Sequence, residues 1–224
     1  RKRDVERLKG ILGIGKALSF APYSLLEYLL SPKEGESIPV CKSVIVENRY
    51  YDRDHSDAFS KFYCKSFRDI EKECIRLHFF SNRMPVDAIF DLEKKIKYYL
   101  GFCVVRPFPS RTIGRTVIAR LRDKPALEFP TCKGKFSVNI AGSSTSIEGP
   151  AFIEQDALVS ACASAAIWMS TTTMANRYNL HSSSTSQITI DANQQLLSQR
   201  AMPSAGLTYE QMMQALDTMN YSPV

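Results

Sequence analysis

The chain has 224 residues, 44% hydrophobic and 23% charged, with 29 Lys and Arg against 23 Asp and Glu and a formal net charge of +6. That length holds one large domain or two small ones, and the apolar share is ordinary for a globular protein. No apolar run is long enough to span a bilayer, and the Gly-rich patch 10–15 is too short for a signal sequence, so a membrane-spanning or secreted class is not expected.

The charge is uneven: residues 1–135 carry 27 Lys and Arg against 17 Asp and Glu, and residues 136–224 carry 2 against 6. The basic residues interleave with acids rather than cluster, which reads as a solvated surface. The rival reading is a non-catalytic module whose basic N-terminal part docks a protein or nucleic-acid partner, with nucleic acid the less expected of the two. The six cysteines, Cys41, Cys64, Cys74, Cys103, Cys132 and Cys162, contain no Cys-x-x-Cys pair. They read as reduced thiols in a cytoplasmic setting. The only histidines are His55, His78 and His181, so neither a metal site nor a cofactor is predicted. The chain opens at Arg1 rather than a methionine, which reads as a segment of a longer or processed product.

Residues 1–36 form an expected N-terminal helical arm. Glycines at 10, 13 and 15 weaken any continuous helix there. Helical spacing returns over 24–30 after Pro22, and the polar break 31–37 sets the first boundary.

Residues 37–150 are expected to be mainly β. Strands are predicted over 41–51, 73–80, 98–107, 115–121 and 135–141, from β-branched and aromatic content and alternation. The third ends at Pro107, and with the fourth it can pair as a long hairpin. His78 alternates against Leu77 and Phe79 and reads as a structural histidine. The segment 52–57 is rich in metal or acid–base ligands, but helical spacing runs on through 56–63, so Ser56 or Asp57 more simply caps a helix. A short helix is predicted over 86–97 after Pro85, and 142–146 is predicted as a turn.

Residues 151–224 are expected to be a helical subdomain. From Ala157 to Ala175 the chain is uncharged and shows no polar face, which predicts a central helix buried on most sides. Ala161, Ala163, Ser164, Ala165 and Ala166 surround Cys162, so neighbouring backbone can approach closely. A polar loop is predicted over 176–187 and a helix over 188–198 that starts near Thr189 or Asp191. Thr208 and Gln211 fit a capping box, with Leu207 and Met212 as the staple of a helix ending near Asn220.

Cys162 carries the candidate chemistry. A thiol in the first turn of a helix sits near the positive end of the backbone dipole, which favours the nucleophilic thiolate. The amide of Gln155 is placed to donate to an oxyanion held beside the Cys162 N–H. A Gln preceding a Cys that opens a small-residue helix resembles the papain-like cysteine peptidases, including the bacteriocin-processing type. The resemblance covers about the last third of the chain. Two departures stand out: the Gln-to-Cys spacing is about one residue longer than usual, and Ala163 stands where a Gly often follows the Cys.

Beside the α+β fold with an antiparallel sheet-rich N-terminal part that the predicted elements give, the resemblance implies a papain-like helical part packed on that sheet. It also implies acyl transfer on a peptide or protein substrate, with Cys162 as nucleophile and Gln155 as oxyanion donor. A peptidase needs a base beside the thiol. His181 lies past the far end of the helix. The base then lies on C-terminal strands beyond a fragment, or is His55 or His78, or the domain is a scaffold without activity.

Overall fold

The computed structural model describes residues 41–67, 69–108, 113–119, 133–155, 162–194 and 206–223, with Gly10 and Leu29. The expected arm 1–36 lies outside these residues apart from those two. The described part is mixed α+β, as expected. Strands β1 (Ser43–Tyr50), β2 (Cys74–Phe80), β3 (Tyr99–Val105), β4 (Ile113–Ile118) and β7 (Ala151–Phe152) form one antiparallel sheet in the order β1-β2-β3-β4-β7. Strands β5 (Gly134–Ile140) and β6 (Ser143–Gly149) form a separate antiparallel hairpin. The helices are α1 (Arg53–Lys61), α2 (Leu92–Tyr98), α3 (Cys162–Tyr178), α4 (Thr185–Asp191) and α5 (Tyr209–Thr218). No helix among the described residues is long and apolar enough to cross a membrane.

Alternation along the strands splits the sheet into two apolar faces. Leu77, Phe79, Leu100, Cys103 and Val105 pack on one side, with Leu29 and Cys41. Phe80, Phe102, Val104 and Val117 pack on the other, against Val138, Ile140 and Ile147 of the hairpin. Strand β3 changes phase at Gly101, where the register with β2 shifts between Phe79 and Phe80. Gly101 has φ +134°, and a Cβ there would stand 2.1 Å from the Val117 carbonyl oxygen. Only glycine fits this bulge.

Several expected boundaries move. The predicted turn 142–146 is a two-residue turn, Ala141 (φ 47°) and Gly142 (φ 79°), and Ser143–Gly149 is strand. Two successive positive φ values match the right-handed twist of a tight hairpin. The first helix is capped by Asp52, whose carboxylate accepts from the Asp54 and His55 N–H groups, and not by Ser56 or Asp57. The predicted helix 86–97 divides into a 3-10 turn (Val86–Phe90) and α2, because Asp91 caps the second piece. The predicted loop 176–187 is shorter: α3 runs to Tyr178, and α4 already starts at Thr185 behind the Ser184 cap. The Thr208–Gln211 capping box is present, with both reciprocal hydrogen bonds.

Helix α3 is buried along an inner face that includes Ser164, Ala165, Trp168, Thr171, Thr172 and Ala175. Cys162, Ala166, Ser170 and Met174 are exposed. These four recur every fourth residue and so form one outer stripe. The helix is central to its layer, touching α4, α5, β5 and β7, yet it is not covered on most sides as the sequence predicted. The small side chains on the outer stripe meet solvent rather than a neighbouring backbone.

Candidate functional site

The route to Cys162 begins at the sheet edge. Short strand β7 pairs with β4, and the next residues are fastened to the end of β4. The Glu154 N–H donates to the Ile113 carbonyl at 3.0 Å, and the Glu154 carboxylate accepts from the Ile113 N–H at 2.7 Å. Arg106 donates to the Glu154 carbonyl at 2.8 Å. Gln155 follows directly and is exposed. Residues 156–161 lie outside the described part. Cys162 is exposed and is the first described residue of helix α3, whose described part has 17 residues. Among the described residues no hydrogen bond joins the Gln155 amide to the thiol.

The other described thiols contrast with it. Cys41, Cys74 and Cys103 are buried. Burial pushes Cys41 above its ordinary value and pushes Cys74 and Cys103 up to about 12. They are core side chains without nucleophilic character. Cys64 is exposed, but it lies just past the C-terminal end of α1, where its thiol donates to the Ser60 carbonyl at 3.1 Å.

Neither buried histidine serves Cys162. His78 Nδ1 meets the Tyr99 hydroxyl at 2.9 Å, and Nε2 lies 3.4 Å from Glu47. Burial holds its proton affinity below the usual range against the pull of Glu47. It is a structural residue inside the sheet. His55 is buried in α1 and donates from Nε2 to the Glu71 carbonyl at 2.9 Å. Its helix meets the inner side of α3, because Trp168 Nε1 donates to the Asp54 carboxylate at 3.1 Å. Trp168 and Cys162 project about 120° apart around that helix axis, at 100° per residue. His181 is exposed, three residues past the end of α3, with about 24 Å of helix between it and the thiol.

The acidic segment 52–57 is taken up by structure. Asp52 caps α1 and Asp54 receives Trp168. Asp57 accepts from the hydroxyls of Ser184 and Ser186 and from Lys61, and so ties α1 to the start of α4. Lys61 also donates to Gln187 at 2.6 Å. Sequence reasoning named these carboxylates but not their partners. Ser164, two residues past the cysteine, shares a 2.9 Å hydrogen bond with Thr189. The cysteine helix is thus held from behind by Trp168–Asp54 and Ser164–Thr189.

No protein-family model, no curated protein and no solved structure matches the chain.

Proposed function

We propose that the chain carries the nucleophile side of a papain-like cysteine peptidase site, with Cys162 as nucleophile and Gln155 as oxyanion donor, acting on a peptide or protein substrate. The observation that supports it is the setting of Cys162, an exposed thiol on a long helix whose inner face is pinned by Trp168–Asp54 and Ser164–Thr189; the sequence reading places it in the first turn. Helix starts present outward-pointing N–H groups, a setting that reactive thiols share.

In this reading the Cys162 thiolate attacks the scissile carbonyl carbon and forms a C–S bond. The Gln155 amide and a backbone N–H hold the resulting oxyanion. Collapse breaks the C–N bond, the amine leaves with a proton, and a thioester remains. Water adds to the thioester, the C–S bond breaks, and carboxylate and thiol are released. His55 and His78 are held by Glu71 and by Tyr99 and Glu47, and His181 lies past the far end of α3, so this reading names none of the three as the base. A reducing, cytoplasmic setting goes with free-thiol chemistry.

The second reading is a non-catalytic interaction module, with the basic N-terminal part as its docking surface. It is favoured by the same orientation of His55 and His78. Alkylation with iodoacetamide near neutral pH separates the two, with Cys64 as the internal reference because it is the other exposed thiol among those described. The peptidase reading expects Cys162 to react at least about tenfold faster than Cys64. Equal rates overturn it in favour of the module.

A further inference from the structure

Among the described residues five buried side-chain atoms have no hydrogen-bond partner, and three of them, Asp52 Oδ2, His55 Nδ1 and Arg106 Nε, belong to residues that share one cavity; Asp52 Oδ2 also faces Arg115 Nη2 at 3.4 Å as an ion pair. Native proteins leave few such atoms, and each costs its desolvation when left unpaired. Asp52, His55 and Arg106 also line one cavity of about 20 Å³, together with Asp54, Ala58 and Thr189 among others. That volume admits one or two water molecules and no organic ligand.

The donor and acceptor roles are fixed by the neighbours. His55 Nε2 gives its proton to the Glu71 carbonyl, and burial holds the ring below its usual proton affinity. The ring is therefore neutral, and Nδ1 is left as an acceptor. Arg106 stacks near Phe108, 5.3 Å from the ring centre, and donates through Nη2 to the carbonyls of Ile113 and Glu154. Burial lowers it to about 10, so it stays charged, and Nε–H remains as a donor. A cation is disfavoured there by Arg106 and Arg115, and an anion by Asp52 and Asp54. A neutral molecule that both donates and accepts fits both constraints.

We propose that this cavity is a built site for an internal water, which accepts from Arg106 Nε and donates to His55 Nδ1. The water joins the start of α1 to the chain leaving β3. Through Asp54–Trp168 and Thr189–Ser164 it underpins the inner face of the cysteine helix. The site holds whether or not Cys162 is a nucleophile.

The test is solvent NMR on the intact chain. A long-lived internal water gives a cross-peak between the solvent line and the methyl protons of Ala58, which lines the same cavity, and replacing the acceptor in His55→Leu abolishes it. Absence of the cross-peak in the unsubstituted protein overturns the proposal, as does its survival in the folded His55→Leu variant. Should that variant not fold, a high-resolution crystal structure of the unsubstituted chain decides. A solvent oxygen within hydrogen-bond reach of both nitrogens supports the site, and a dry cavity sinks it.

Discussion

Trp168 donates its indole N–H to Asp54 across 114 positions of sequence, at 3.1 Å, with both side chains buried. The bond links the α1 cap region to the inner face of the cysteine helix. Trp168→Phe removes the donor and part of a packed side chain, and leaves a buried carboxylate short of a partner. The expected loss is about 2–4 kcal/mol in urea unfolding followed by circular dichroism. A loss below about 0.5 kcal/mol would mean the bond contributes nothing net.

The same carboxylate sets a pH dependence. Burial, reinforced by the charge of Asp52, pushes Asp54 up to about 6, against the pull of Arg115 and the Trp168 bond. An acid whose folded value is raised binds more protons in the native state. Its contribution is therefore fully present below the unfolded value near 3.8 and is lost as pH rises through about 6. The size is on the order of 3 kcal/mol. Asp54→Asn keeps an acceptor for Trp168 and cannot ionise. The difference in unfolding free energy, wild type minus Asp54→Asn, is expected to fall between pH 4 and pH 7. A difference that is flat or rises with pH contradicts the assignment.

Gln155 offers a kinetic separation within the peptidase reading. Removing one oxyanion donor costs about 10²–10³ in kcat. Gln155→Ala is therefore expected to slow turnover of a peptide substrate by that factor, while alkylation of Cys162 keeps its rate. Equal slowing of both measurements would assign Gln155 to the shape of the helix start rather than to the oxyanion.

Two glycines with positive φ carry opposite expectations. A Cβ at Gly101 meets the Val117 carbonyl oxygen at 2.1 Å, whereas nothing lies within 4 Å of one at Gly142. Gly101→Ala is expected to cost about 4 kcal/mol or more and to abolish soluble folding. Gly142→Asn suits a tight hairpin and is expected to cost under about 1 kcal/mol. Thermal unfolding of the two variants checks the contrast.

The sheet was largely legible, because runs such as Tyr99–Val105 join β-branched and aromatic side chains in an unbroken apolar string. Ser143–Gly149 was hidden by its serines and glycine, although Thr145, Ile147 and Gly149 alternate inward against exposed neighbours. The Thr208–Gln211 cap was legible because its chemistry is local. Asp52 is not distinguished from Ser56 and Asp57 by local sequence, because cap choice depends on where the chain enters the helix. Thr185–Asp191 has weak helical propensity and is secured by Ile188 packing and by Asp57 from a distant helix. Of the site, the helix that carries Cys162 was readable. The exposure of its stripe was not, because Ala and Ser suit an interior and a surface equally. Asp54–Trp168 and Asp57–Ser184 join residues more than a hundred positions apart, and no local pattern announces such pairs.

The order of the first four strands bears on how the chain reaches this state. Strands β1 to β4 each bond to their successor, so that part of the sheet closes loops only between sequence neighbours. Such contacts form early in refolding, because little chain entropy is lost before they are made. The tryptophan finds its carboxylate only after a far longer loop has closed, so the quenching or shift of its emission marks the arrival of the helices on a sheet already assembled. In stopped-flow refolding that emission change is expected to lag the far-ultraviolet signal; simultaneous phases would show that sheet and helices condense together.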